Sequence, residues 1–108
     1  MGTKKAPKGK NDATLEALRA EIDECDRQII RLLARRLDAV REIGKYKAVH
    51  KLPVVDEARE AELLADRKQE ASATENYSVE KIFKLILEES RQIQAKMRED
   101  FSQTSRIR

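Results

Sequence analysis

The chain has 108 residues, of which 40% are charged and 4% aromatic, with 3 glycines, 2 prolines and 1 cysteine. That length suits one domain, which buries a limited fraction of its surface and gains from oligomerisation; the single cysteine excludes an intrachain disulfide. The net charge of +3 is the difference between 23 basic and 20 acidic residues. These are mostly interspersed, so the balance does not by itself argue for nucleic acid. No apolar run approaches the roughly 20 residues that span a bilayer. The basic stretch from Met1 to Lys10 has no apolar core after it, so it is not a secretory signal, and the cytoplasm is the expected compartment.

Residues 1–13 are rich in Lys, Gly and Pro and are expected to form a disordered basic tail. A nucleic-acid arm is the sharper alternative, but no aromatic or arginine pattern supports it. The first helix is expected to start at Thr14, an N-cap candidate with Glu16 in the first turn. Leu15, Leu18, Ile22, Cys25, Ile29, Leu32, Arg36, Ala39, Ile43 and Tyr46 then alternate at spacings of three and four, a heptad seam. Pro53 ends the helix by about Leu52. A helix over residues 14–49 would be roughly 54 Å long, against a radius of gyration of about 13 Å for a compact domain of this size. Its seam therefore needs covering by another chain, most simply in a two-fold, intertwined homodimer.

The second helix is expected to start at Asp56, an N-cap, with Leu63 and Leu64 as anchors, and to fade near Glu70. The third is expected to start at Ser78, with an apolar face of Val79, Ile82, Phe83, Ile86, Leu87, Ile93 and Met97. The expected architecture is all-α, with a long, a short and a medium helix. The folded domain spans residues 14–98, followed by a flexible tail over 99–108.

Three polar side chains interrupt these stripes. Arg36 occupies a seam position of the first helix, while Ser90 and Gln94 lie four apart on the apolar face of the third. A buried guanidinium needs a carboxylate or phosphate partner. That partner is either an anionic ligand or a protein carboxylate, and Arg36 could also snorkel out to solvent. Together the three suggest a polar pocket inside a bundle. Lys47 is eleven residues after Arg36, on nearly the same face, about 16 Å further along the axis. Ordinary solvation at a helix C-terminus is the plainer explanation for that lysine. Asp56, Arg59 and Glu60 follow; in isolation they are a capped helix start with surface ion pairs worth little each. His50 is expected to be an exposed loop residue and Cys25 a small core filler, neither with a catalytic role.

The ordered set Leu18-Arg19-x-x-Ile22, Asp26, Arg36, Gly44-Lys45-x-Lys47, Pro53-Val54-x-Asp56-x-x-Arg59-Glu60, Glu89-Ser90 and Gln94 closely resembles the all-helical (AroQ-class) chorismate mutases of the bacterial type. The resemblance covers about residues 15–97. It implies an intertwined dimer of three-helix chains that converts chorismate to prephenate by a Claisen rearrangement, on the route to phenylalanine and tyrosine, with no metal and no cofactor. Position by position, it implies that Arg36, and Arg19 from the other subunit, bind the two substrate carboxylates. Lys47 and Gln94 donate to the ether oxygen, Glu60 holds the ring hydroxyl with Asp56 beside it, and Ser90 and Arg59 complete the shell. A free-standing mutase is expected, with room for a regulatory partner enzyme. An isochorismate pyruvate lyase resembles the same fold but lacks the acid at Glu60. A non-catalytic helical dimer, regulatory or binding, would leave Arg36, Ser90 and Gln94 unexplained.

The fork geometry of Arg36 gives a first test. Lysine keeps the charge but not the planar, bidentate donor set. Arg36→Lys is expected to cripple turnover of chorismate while leaving the oligomeric state intact, and near-normal turnover would remove Arg36 from the carboxylate site.

Overall fold

Leucine, alanine, glutamate, lysine and arginine dominate a chain that has neither glycine nor proline after Pro53, so little in it breaks a helix. The computed structural model describes the backbone of residues 11–107 and the side chains of residues 14–104. Three helices account for most of it: α1 (Asn11–Val49), α2 (Glu57–Glu70) and α3 (Asn76–Ile107). Among the described residues there is no strand, in keeping with the all-α expectation.

The element order agrees with the sequence pattern, and the boundaries differ. α1 is already helical at Asn11, so Thr14 sits inside the helix and is not its cap. The tail expected over residues 1–13 falls outside the described residues for 1–10. α3 starts at Asn76, two residues before Ser78, because the Glu75 carbonyl already accepts from the Val79 amide at 2.9 Å. It also runs to Ile107, through most of the segment expected to be a flexible tail. The apolar pattern fades there, but no residue stops the helix, and Lys96 pairs with Asp100 one turn on at 3.3 Å.

The chain divides into two units, residues 1–36 and 37–108. The first holds the N-terminal part of α1, where Leu18, Ile22, Ile29, Ile30 and Leu32 are all more than half exposed. Cys25 is exposed as well, so the core-filler expectation fails within a single chain. On the polar side, Gln28 and Arg27 donate to Glu24 and hold its carboxyl below the usual carboxylate range.

The second unit contains the core. Val40 and Ala48 of α1, Leu63 of α2 and Leu87 of α3 are buried. α2 packs on α3, with Lys68 paired to Glu80 at 3.3 Å and the Arg67 guanidinium 5.8 Å from the centre of the Phe83 ring. Ile82, expected on the apolar face, is 55% exposed, while Leu87, Ser90 and Gln94 of that face are buried. Buried Gly44 lets α1 approach α3. A Cβ there would stand 3.0 Å from the Gln94 Cα and 3.0 Å from the Met97 Cβ.

α1 ends in a Schellman motif. The Leu52 amide donates to the Lys47 carbonyl at 2.8 Å and the Lys51 amide to the Ala48 carbonyl at 3.3 Å. This places Lys51 at φ 58°, a left-handed position usually given to glycine. The helix consequently stops at Val49, three residues before the limit set by Pro53. A side chain in that region costs about 1–2 kcal/mol, part of which glycine returns through its larger unfolded-state entropy. Lys51→Gly is expected to raise the melting temperature by a few degrees in a thermal unfolding scan; an unchanged or lower value would show that Lys51 is not strained.

Candidate active site

The second unit gathers four of the singled-out residues around α3. Ser90 and Gln94, one turn apart, are 4% and 8% exposed and are the buried polar residues of the described core. The Ser90 hydroxyl donates to the Ile86 carbonyl at 2.8 Å, the usual way for a serine to be satisfied within its own helix. Gln94 is different. Its side-chain carbonyl oxygen is buried and has no hydrogen-bond partner.

Lys47 belongs to the same neighbourhood through Gly44. Three residues apart, the two share a face of α1, and Gly44 is pressed against the α3 backbone at Gln94. Lys47 is half-buried. Its ammonium donates to the Val54 carbonyl at 2.8 Å, which uses one of three protons. Its own carbonyl accepts from Arg98 at 3.1 Å, and the same guanidinium nitrogen also reaches the Leu52 carbonyl. Arg98 thereby holds both the end of α1 and the segment that leads to Val54.

Glu60 joins from the first turn of α2. Its carboxylate is 21% exposed and accepts from Arg91 of α3 at 2.6 Å. Arg59 of α2 and Asp56, which precedes it, do not turn inward. Asp56 is exposed and serves as N-cap, accepting from the Arg59 amide at 3.0 Å. Arg59 is exposed and its guanidinium faces Glu62 at 3.4 Å. For these two, the capped helix with surface ion pairs describes what the chain does. Arg36 is half-buried and Arg19 exposed, both on the part of α1 that lies in the first unit.

Two residues of this neighbourhood were not singled out from the sequence. Arg98 continues the Ser90–Gln94 row by another four residues, a spacing that was available. Arg91 follows Ser90 directly, and its link to Glu60 across 31 residues leaves no periodic signal.

Leaving a buried carbonyl unpaired costs about 1–3 kcal/mol, and methionine has nearly the shape of glutamine without its polar atoms. Gln94→Met is expected to melt above the unsubstituted chain. A lower melting temperature would mean that the amide contributes more through the bonds of its nitrogen than it loses at its oxygen.

The family model described as chorismate mutase type II matches residues 18–95. A T-protein of Enterobacter agglomerans is 46% identical over 61 residues, which are 56% of this chain and 16% of that protein. A T-protein of Haemophilus influenzae is 46% identical over 57 residues, 53% of this chain and 15% of that protein. The matched part thus spans about one sixth of the length of these relatives.

Proposed function

Since the chain belongs to the chorismate mutase type II family, matched over residues 18–95, we propose that it is an isomerase converting chorismate to prephenate in the biosynthesis of phenylalanine and tyrosine, working as a homodimer in the cytoplasm. The observation that carries this beyond family membership is the side chain of Gln94. It is 8% exposed, on a helix face that would otherwise be apolar, with an unsatisfied oxygen. A core has no use for that group, whereas a site for a polar ligand does.

The rearrangement is unimolecular and transfers no proton to or from the protein. It therefore needs restraint and charge stabilisation, not a nucleophile or a general base. Arg36 and Arg19 hold the two substrate carboxylates by bidentate contacts and keep the reacting ends together. As the C–O bond breaks, negative charge grows on the ether oxygen. Lys47 and Gln94 donate to it from fixed positions, each such donor being worth about 2.7–4 kcal/mol in the transition state. The Val54 carbonyl takes one of the three Lys47 protons, which leaves two for the substrate. Glu60 accepts from the ring hydroxyl. Asp56 and Arg59 sit at the rim in this assignment, since their present bonds are a helix cap and a solvent-side ion pair.

Arg19 and Arg36 are 17 residues apart, roughly 25 Å along a helix. No small substrate spans that distance, so one site needs Arg19 from a second copy. The exposed seam of Leu18, Ile22, Ile29 and Leu32 supports the same partner, because an apolar row of that length is a contact surface. Antiparallel first helices crossing near residues 27 and 28 would bring Arg19 of one protomer to Arg36 of the other and form two equivalent sites.

Chorismate and isochorismate supplied separately test this. Chorismate is expected to disappear in the ultraviolet with formation of prephenate, isochorismate to release no pyruvate, and sedimentation to give twice the 12.4 kDa chain mass. Pyruvate from isochorismate without prephenate from chorismate would make the chain a lyase; inertness toward both would make it a binding module.

A further inference from the structure

The bond between Arg91 and Glu60 is the closest ion pair among the described residues and joins α3 to α2. At 2.6 Å it is short even for a charge-assisted contact, and the Glu60 carboxylate is 21% exposed against 51% or more for the acids of the α1 surface pairs. Surface pairs of the latter kind hold nothing in place. Arg91 is placed to do more. It stands next to Ser90 and three residues before Gln94, so one short length of α3 carries both buried polar groups and the clamp on Glu60. The pair uses Oε1 of Glu60. A carboxylate has acceptor capacity on both oxygens, and Oε2 remains the acceptor for a hydroxyl.

We propose that Arg91 is a positioning residue for the rearrangement, fixing Glu60 so that its second carboxylate oxygen meets the ring hydroxyl of the substrate. This rests on the mutase assignment above. Arg91 acts through Glu60 and does not itself touch the reacting atoms. Without it, a flexible three-torsion side chain on the first turn of α2 would sample several rotamers, and the hydroxyl would be bound by a group that has to be ordered at each encounter.

A double-mutant cycle with chorismate separates this role from simple structural support. Arg91→Met in the full chain is expected to lower kcat/KM by about 10- to 100-fold, the scale of a misplaced binding group. In a Glu60→Ala background the same change should cost less than about 2-fold, because the group it positions is gone. Arg91→Lys retains a donor to Glu60 and should recover part of the loss. Equal losses in the two backgrounds would overturn the assignment and leave Arg91 a helix-packing residue. A gain in turnover on Arg91→Met would overturn it too, by showing that Arg91 competes with substrate for Glu60. If Arg91→Met does not fold, as judged by far-ultraviolet circular dichroism, Arg91→Lys carries the cycle with the same criterion. Absence of turnover in the unsubstituted chain overturns the mutase assignment and the Arg91 role together, whereas turnover there with a failed cycle overturns the Arg91 role alone.

Discussion

Where α1 meets α3, the backbone of Gln94 occupies the space in which a side chain at position 44 would begin. Two helices usually pack with axes about 8–10 Å apart, and the missing side chain at Gly44 lets these two come close at that point. Much else in the second unit follows from that contact. It brings the Lys47 turn to the part of α3 that carries Ser90 and Gln94. It also brings the end of α1 within reach of Arg98, which binds the Lys47 and Leu52 carbonyls. The Schellman turn, with its left-handed Lys51, then leads the chain away toward Val54, whose carbonyl accepts from Lys47. One position without a side chain thus sets the place of a cation, a buried amide and the loop between α1 and α2.

The same contact explains the division of labour along α3. Its inward face has to satisfy two neighbours. Against α2 it offers Phe83 and the Arg91 bond to Glu60. Against α1 it offers Gln94, Met97 and Arg98. The apolar part of this surface stabilises the unit, and the polar part weakens it, since a buried amide oxygen without a partner is a net loss in the absence of a ligand. Polar groups kept inside a small core at such a cost are characteristic of functional sites, where local rules are broken and compensated elsewhere.

The helices were legible in the sequence because periodicity and capping are local. Asp56 caps α2 as its chemistry dictates, and α2 ends at Glu70, where its pattern fades. The start of α1 and the bounds of α3 were not legible. The stop at Val49 agrees with a helix over residues 14–49, although Pro53 alone set only the looser limit of Leu52 and nothing in composition marks the left-handed Lys51 that makes the turn. At the other end, a fading apolar pattern suggested a tail, yet a segment with no breaking residue can remain helical to Ile107. The candidate site was legible to the extent that it sits on stripes: Ser90 and Gln94 declared themselves as polar residues at apolar positions. Arg91 did not, because a contact between residues 60 and 91 belongs to tertiary structure. Asp56 and Arg59 illustrate the opposite limit. Read in isolation they predicted a capped helix with surface ion pairs, which is what their bonds are, and only the family resemblance implies a place for them in a binding shell.

Among the described residues, the buried positions of α1 all lie in its C-terminal part. There Val40, Gly44 and Ala48 are buried, with Gly44 against α3, while Ile43, Tyr46 and Val49 stay exposed. Before Arg36 it carries large aliphatic residues that remain open. Small residues suit a close contact with a fixed neighbour in the same chain, while large ones suit a second helix at ordinary packing distance. Arg36 stands at the boundary between these regimes, half-buried. In the proposed dimer this guanidinium would face a substrate carboxylate, with Arg19 of the second copy nearby. On that arrangement neither the seam nor the site is complete in one chain, so dimerisation and substrate binding draw on the same helix, and the large residues before Arg36 serve the site by fixing where Arg19 arrives.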